Sequence, residues 1–244
     1  MVDNLVITAH PDDETLFAGG FIIKNPNTLV LCVSHGLGEA HSFLGRVKLY
    51  ITRHLEFKRA IRVFNENSIS GKPIVKARIL TSIDLLHYEK LIDKIGGVRT
   101  QGLLIRKLMP IIKRVILSVK PKRIITHNRF GEENHFLHKT VHKAVLRAVE
   151  DLEKKGLLGR VGKNFELLNF NSRIKILNIK THRLITTRVV KGLEQERQEL
   201  TIKLNDEELN LKLRALQQYK SQSFIFENND KEVFKEEHFI YLSL

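Results

Sequence analysis

The stretch Leu5-Val-Ile-Thr-Ala-His10-Pro11-Asp12-Asp13-Glu14 constrains this chain more than any other: an apolar run stops on a histidine, a proline and three acids. Val6, Ile7, Thr8 and Ala9 suit a buried strand, and a proline with acids behind it suits the first turn of a helix. The junction delivers ligand-type side chains to the carboxyl end of the first strand, the edge where open α/β sheets bind ligands. If Pro11 opens the helix, His10 and Asp13 are three residues apart, face one side and reach one metal ion, with Asp12 projecting beside it. A histidine and a carboxylate on one metal call for a third ligand, usually another histidine, with one position left for water. The segment Gly131-Glu-Glu-Asn-His135-Phe-Leu-His138-Lys-Thr-Val-His142, after a second apolar run that ends at His127, offers one.

Strand and helix patterns alternate along the chain. The first strand, about Asn4 to Ala9, leads into a helix from roughly Asp12 to Lys24, whose Gly19-Gly20 pair implies tight packing against the sheet, since glycines inside a helix are otherwise costly. Asn25-Pro26-Asn27 is a turn, and Thr28 to Ser34 a second buried strand followed by a glycine-containing loop, His35 to Glu39. A dinucleotide fingerprint should follow the first strand and needs a third glycine, so no Rossmann cofactor site is expected. A helix runs from about Gly45 to Phe64, Gly71-Lys-Pro73 breaks the chain, and Ile74 to Leu80 reads as the third strand. Gly102 to Val119 is a basic amphipathic helix that Pro110 is expected to kink or divide. Arg123 to Thr126 is the fourth strand. The alternation argues for a parallel sheet with helices on both faces. Beyond His142 the helix continues to about Lys155 and a loop follows, Gly156 to Gly162. Phe165 to Phe170, Lys175 to Ile179 and Leu184 to Val190 are candidate later strands, and Asp206 to Gln218 is a helix.

A chain of 244 residues can bury a full core, and one domain over 1–244 is the default. Hydrophobic and charged shares of 42% and 28% are those of an ordinary globular protein. The lone Cys32 excludes an intramolecular disulfide framework. No apolar stretch spans a bilayer and no secretory signal pattern is present, so a cytoplasmic location is expected. The net charge of +14 is compatible with a solvated lysine-rich exterior, with a site that attracts phosphate-bearing substrates, and with peripheral contact with an anionic membrane. Zinc-finger spacing, aromatic-glycine signatures and basic heptads are all missing, which argues against nucleic-acid binding. The oligomeric state is not encoded in any pattern found.

With both motifs placed, the chain resembles the LmbE-like (PIG-L) family of metal-dependent N-deacetylases. The resemblance rests on Ala9-His-Pro-Asp-Asp-Glu14, Arg53-x-x-Glu56, Gly131-Glu-x-Asn-His135-x-x-His138 and Leu216-x-x-Tyr219-x-Ser-Gln222, in the family's order. It implies a Rossmann-like three-layer α/β/α sandwich with a mostly parallel sheet, and hydrolysis of the acetamide of an N-acetylglucosamine unit on a glycan, lipid-linked or small-molecule conjugate. It also implies that His10, Asp13 and His138 hold the metal, that Asp12 is the general base and that His135 stabilises the oxyanion. Those roles suit the chemistry: a cation polarises a poor electrophile, a carboxylate moves the water proton to the leaving amine, and a cationic histidine meets the developing charge. Zn²⁺ suits two imidazoles and a carboxylate, and Fe²⁺ would also fit. The chain departs from many members at Leu137, where they carry a carboxylate that orients a histidine; either another acid such as Glu132 or Glu133 takes that role, or His135 is less cationic and the enzyme slower.

Plainer readings stand beside these. His41, His54, His87 and His182 are expected to be ordinary core or surface residues. His10 with the acids is also compatible with a helix cap, and His138 with His142 is an alternative ligand pair. Arg53 is open between a substrate hydroxyl or phosphate and a pair with Glu56, and His127 between substrate contact and structural hydrogen bonding. Tyr219, Ser221 and Gln222 are expected to be structural. The competing functions are an amidohydrolase on another acyl amide and a weakly active binder of carbohydrate or anionic glycan.

Overall fold

The computed structural model describes residues 2–25, 27–37, 40, 42–66, 75–80, 96–158, 166–171, 175–178, 183–186, 199–223 and 231–241, with the backbone alone at 133, 169–171, 175–178, 183–186, 199, 240 and 241. Expectations placed on Pro26, Gly38, Glu39, His41, 67–74, 81–95, 159–165, His182 and 187–190 lie outside them, as does the side chain of Glu133.

Five strands, β1 (Asn4–Thr8), β2 (Thr28–Cys32), β3 (Val75–Ile79), β4 (Arg123–Thr126) and β5 (Glu166–Asn171), form an all-parallel sheet in the order β3-β2-β1-β4-β5. Two further strands, β8 (Glu199–Lys203) and β9 (Glu236–Tyr241), extend it antiparallel as β5-β9-β8, while β6 (Lys175–Asn178) pairs with β7 (Arg183–Thr186) in a separate hairpin. Helices α1 (Asp13–Lys24), α2 (Phe43–Glu66), α3 (Gly97–Val119), α4 (Phe136–Lys154) and α5 (Asp206–Leu216) cover the two faces.

The layers follow from strand alternation. Val6 and Val30 point into one core with Phe21, Phe57, Phe64 and Leu209 from α1, α2 and α5. Their neighbours Leu5, Ile7 and Leu31 point into the other with Leu104, Ile112, Val141 and Val145 from α3 and α4. Each fully buried aliphatic or aromatic side chain contributes about 1.5–3 kcal/mol relative to exposure, and continuous apolar runs are what a parallel strand covered on both faces requires. The strand order reverses between β1 and β4, and ligands of such sheets bind outside the carboxyl ends at that point.

Three details differ from expectation. The helix begins at Asp13 rather than at Pro11, because Asp12 takes φ 108°, ψ −37° and turns the chain before the first helical residue. Pro110 neither divides nor ends α3, which is a single helix of 23 residues; Pro110 lies on its exposed side, where a lost backbone hydrogen bond is made good by water. The close approach at the glycine pair is to α5 and β9: a Cβ on Gly19 would come within 3.1 Å of the Lys212 stem, and one on Gly20 within 2.9 Å of Leu204 and 3.1 Å of the Glu237 carboxylate. That carboxylate accepts the Gly20 N–H (2.6 Å), the Phe21 N–H (2.8 Å) and the fully buried Lys212 ammonium (2.5 Å). Among the described residues, no helix is long and apolar enough to cross a membrane.

Candidate metal centre

Polar residues converge where β1 and β4 end. Beyond β1, the Ala9 N–H donates to His127 Nε2 (2.9 Å), which ties the two strand ends together. The positive φ of Asp12 then folds the chain back, so that the His10 N–H donates to Asp13 Oδ2 at 2.7 Å and the Asp12 carbonyl accepts the N–H groups of Thr15 and Leu16. Beyond β4, a short 3-10 turn at Glu132–Asn134 precedes α4, and His135 caps that helix by accepting the Leu137 N–H on Nδ1 at 3.3 Å. His138, one turn further on, is buried and faces back across the sheet edge.

Two imidazole nitrogens and the two oxygens of one carboxylate come together. His10 Nδ1 is 3.3 Å from His138 Nε2 and 3.5 Å from Asp13 Oδ2, and His138 Nε2 is 3.4 Å from Asp13 Oδ1. Bonds of about 2.0–2.1 Å to a tetrahedral ion set donors about 3.3–3.4 Å apart, so the residues present fit a divalent cation. Their protonation fits as well. Burial holds His10 below its ordinary value, leaving a lone pair, with the nearby His138 and Arg53 adding to the effect. Against its own burial, the histidines His138, His10 and His127 keep Asp13 well below the usual carboxylate range. Donors of His10, His135 and His138, and separately of Asp13, His127 and His138, also lie within 4.8 Å of one another. His138 belongs to both sets.

Glu132 supports this cluster from beneath. It is buried, its Oε1 accepts the Asn128 N–H (3.1 Å), and its Oε2 bonds His127 Nδ1 and lies 3.1 Å from His138 Nδ1, close but not aligned as a full hydrogen bond. Of the two acids considered as stand-ins for a carboxylate at 137, Glu132 lies against His127 and His138; Leu137 itself is buried in the core between the sheet and helices α3 and α4. With Nε2 facing a backbone N–H and Nδ1 facing Glu132, His127 takes the hydrogen-bonding alternative, although Glu132 and Asp13, working against burial, push it up to about 9. His142 donates from Nδ1 to the His127 carbonyl (2.8 Å) and does not join a ligand group among the described residues. Burial, followed by the His10 and His138 rings, pushes His135 down to about 2. Its ring is therefore neutral in this arrangement, not cationic.

Asp12 is 8% exposed at the start of α1, beside the cluster. Arg53 is buried, donates from Nη1 to the His35 carbonyl (3.2 Å), and packs over Gly36, where a Cβ would come within 2.2 Å of Nη1 and 3.1 Å of His10 Cδ2. Glu56 is held elsewhere: it accepts the Ser221 N–H (2.8 Å) and hydroxyl (2.5 Å). Tyr219 likewise donates its buried hydroxyl to Glu14, which also accepts the Thr15 hydroxyl (2.6 Å) and the Asp12 N–H (3.1 Å). Burial raises Glu14 to about 7. The late Tyr-x-Ser motif thus fastens two acids from the first quarter of the chain, a link that no spacing in the sequence could signal.

Residues 5–149 match the model of the PIG-L family, described as GlcNAc-PI de-N-acetylase, which is more than half of the chain. The chain belongs to the PIG-L family. This PIG-L chain is 26% identical over 155 residues to the N-acetylglucosaminyl-phosphatidylinositol de-N-acetylase of Saccharomyces cerevisiae, a match covering 61% of the chain and 43% of the yeast enzyme. It spans about half the length of the curated relatives it matches. Its fold is similar to the zinc-inhibited form of teicoplanin deacetylase Orf2 (TM-score 0.66, 16% identity, covering 98% of this chain and 97% of the other). It is also similar to the N,N'-diacetylchitobiose deacetylase of Pyrococcus horikoshii (TM-score 0.61, 16% identity, 98% and 83%). Family members thus include deacetylases of amino-sugar conjugates, and the family is metal-dependent.

Proposed function

We propose that this chain removes the acetyl group from an N-acetylglucosamine-type sugar borne on a larger conjugate, using one divalent cation held by His10, Asp13 and His138, Zn²⁺ in first place and Fe²⁺ in second. The observation that carries the reading is the approach of His10 Nδ1 and His138 Nε2 to each other (3.3 Å) and each to an oxygen of the Asp13 carboxylate (3.5 Å to Oδ2, 3.4 Å to Oδ1), at the point where the strand order reverses. When bound, the cation supplies Lewis acidity to the acetamide carbonyl and to water.

The remaining work falls to side chains of this chain. Asp12 accepts one proton of the attacking water and returns it to the sugar nitrogen as the C–N bond breaks; the second water proton stays on the new carboxyl group, so a neutral amine and acetic acid leave. Because His135 Nδ1 is occupied by the Leu137 N–H, its proton sits on Nε2, and that N–H is the donor for the developing oxyanion. A neutral donor gives a hydrogen bond and not a full charge, which fits a chain with leucine at 137. Arg53 stands against His10 and offers its guanidinium to a sugar hydroxyl or phosphate. His127, fixed between Ala9 and Glu132, orients the ligands.

The test is to load the protein with Zn²⁺ and incubate it with a panel of N-acetylated sugars, their conjugates and other acyl amides, reading free amine. Release from the N-acetylglucosamine members, lost in Asp12→Ala with zinc still bound, supports the reading. Release only from other acyl amides favours the broader amidohydrolase. Sugar binding with no amine from any member overturns the enzyme reading in favour of a carbohydrate binder.

A further inference from the structure

Helix α2 has two unlike halves. From Arg53 onward it buries Phe57, Ala60, Ile61, Val63 and Phe64 against the core. From Phe43 to Leu55 it also turns apolar side chains outward: Phe43 is 79% exposed, Leu44 78%, Ile51 51%, Leu55 44% and Val47 42%. These are five of the seven large apolar side chains that are exposed among the described residues. At about 100° per residue they fall within roughly 120° of the helix circumference, a single stripe.

Charge decides what such a stripe can meet. Lys48, Lys58, Arg59 and Arg62 are exposed on the same helix. Its two acids are engaged elsewhere, Glu56 buried on Ser221 and Glu66 paired with Arg214. The outer surface of α2 is therefore apolar and cationic. A second copy of the chain would bring another +14 net charge against it, and lysine is depleted from protein–protein interfaces. We propose that this half of α2 is a docking surface for an anionic lipid bilayer, with the stripe entering the headgroup boundary and the flanking lysines and arginines on lipid phosphates and carboxylates. Lys58 lies within the stripe's own arc and reaches the headgroups by extending its stem along the apolar face. A cleft of about 390 Å³ lined by Ala40, Gly45, Lys48, Leu49, Thr52 and Ser221 opens on the flank of the same helix.

Vesicle co-sedimentation tests this without any turnover, and so independently of the reaction proposed above. Purified full chain is mixed with phosphatidylcholine vesicles with and without phosphatidylserine, at low and high salt. Wild type should sediment with the anionic vesicles, less at high salt. Phe43→Ser with Leu44→Ser should lower the partition coefficient by about tenfold or more, and Lys58→Glu with Arg59→Glu should abolish the preference for phosphatidylserine. All four side chains are exposed, so circular dichroism should stay that of wild type. Equal sedimentation of wild type and the Phe43/Leu44 variant overturns the proposal, as does equal binding to neutral vesicles. So does a wild-type dimer in sedimentation velocity that this variant dissolves, with no vesicle binding.

Discussion

Replacing Glu132 by glutamine changes one charge and no shape, and the two oxygens it now uses make the consequence calculable. Oε1 accepts the Asn128 N–H and Oε2 faces the Nδ1 atoms of His127 and His138. If the glutamine oxygen stays with the rings, its NH₂ is turned on the Asn128 N–H and two buried donors face each other. If it flips, the NH₂ needs lone pairs on both Nδ1 atoms, which moves the ring protons to Nε2. His127 Nε2 would then oppose the Ala9 N–H, and His138 Nε2 would lose the lone pair that a metal needs. One unsatisfied buried donor costs about 1–3 kcal/mol of folding stability, and loss of a supporting carboxylate behind a ligand histidine weakens metal binding by about 10–100-fold, or about 1.4–2.7 kcal/mol. Zn²⁺ titration against a competing chromophoric chelator, with urea unfolding of the metal-free protein beside it, measures both. A folded Glu132→Gln protein that binds Zn²⁺ as tightly as wild type would refute the assignment of Glu132 as support for His138.

Removal of the metal by a chelator should abolish amine release, and Zn²⁺ or Fe²⁺ should restore it; Zn²⁺ at 100 times its dissociation constant should also add about 2.7 kcal/mol of stability in a thermal melt. Glu237→Gln should cost about 3–5 kcal/mol in urea unfolding, because it strands the buried Lys212 ammonium; Lys212→Met made on top should recover part of that loss. Tyr219→Phe removes the donor to buried Glu14 and should cost about 1–3 kcal/mol, read from the same unfolding curves.

What could be read from the sequence was what depends on near neighbours. The runs around Leu5, Leu29 and Ile124 are continuously apolar because both faces of their strands are covered, so β1, β2 and β4 were plain, and the ligand-type residues just beyond β1 and β4 had to share a sheet edge. Strands β8 and β9 were missed because Glu-Leu-Thr-Ile-Lys and Glu-Glu-His-Phe-Ile-Tyr mix charge with apolar residues, as β8 does at the edge of the sheet, and because the pairing of both is set by partners distant in the chain. The first helix was expected from roughly Asp12 and starts at Asp13; what had no local signature is the unusual φ of Asp12, which turns the chain after Pro11. Contacts such as Glu132 with His138, Glu14 with Tyr219 and Glu56 with Ser221 are products of packing, and residue types alone do not disclose them.

The clasp of Tyr219 and Ser221 on Glu14 and Glu56 sets an order of events during synthesis. The tyrosine that bonds the acid at the end of the His-Pro-Asp-Asp motif is translated some two hundred positions after it. A nascent polypeptide can stack its first strands early, but the loop bearing Asp12 stays unlatched until residue 222 has emerged. The bracing of these two acids would therefore arrive late in translation, after the five parallel strands of the sheet and before its last strand, β9.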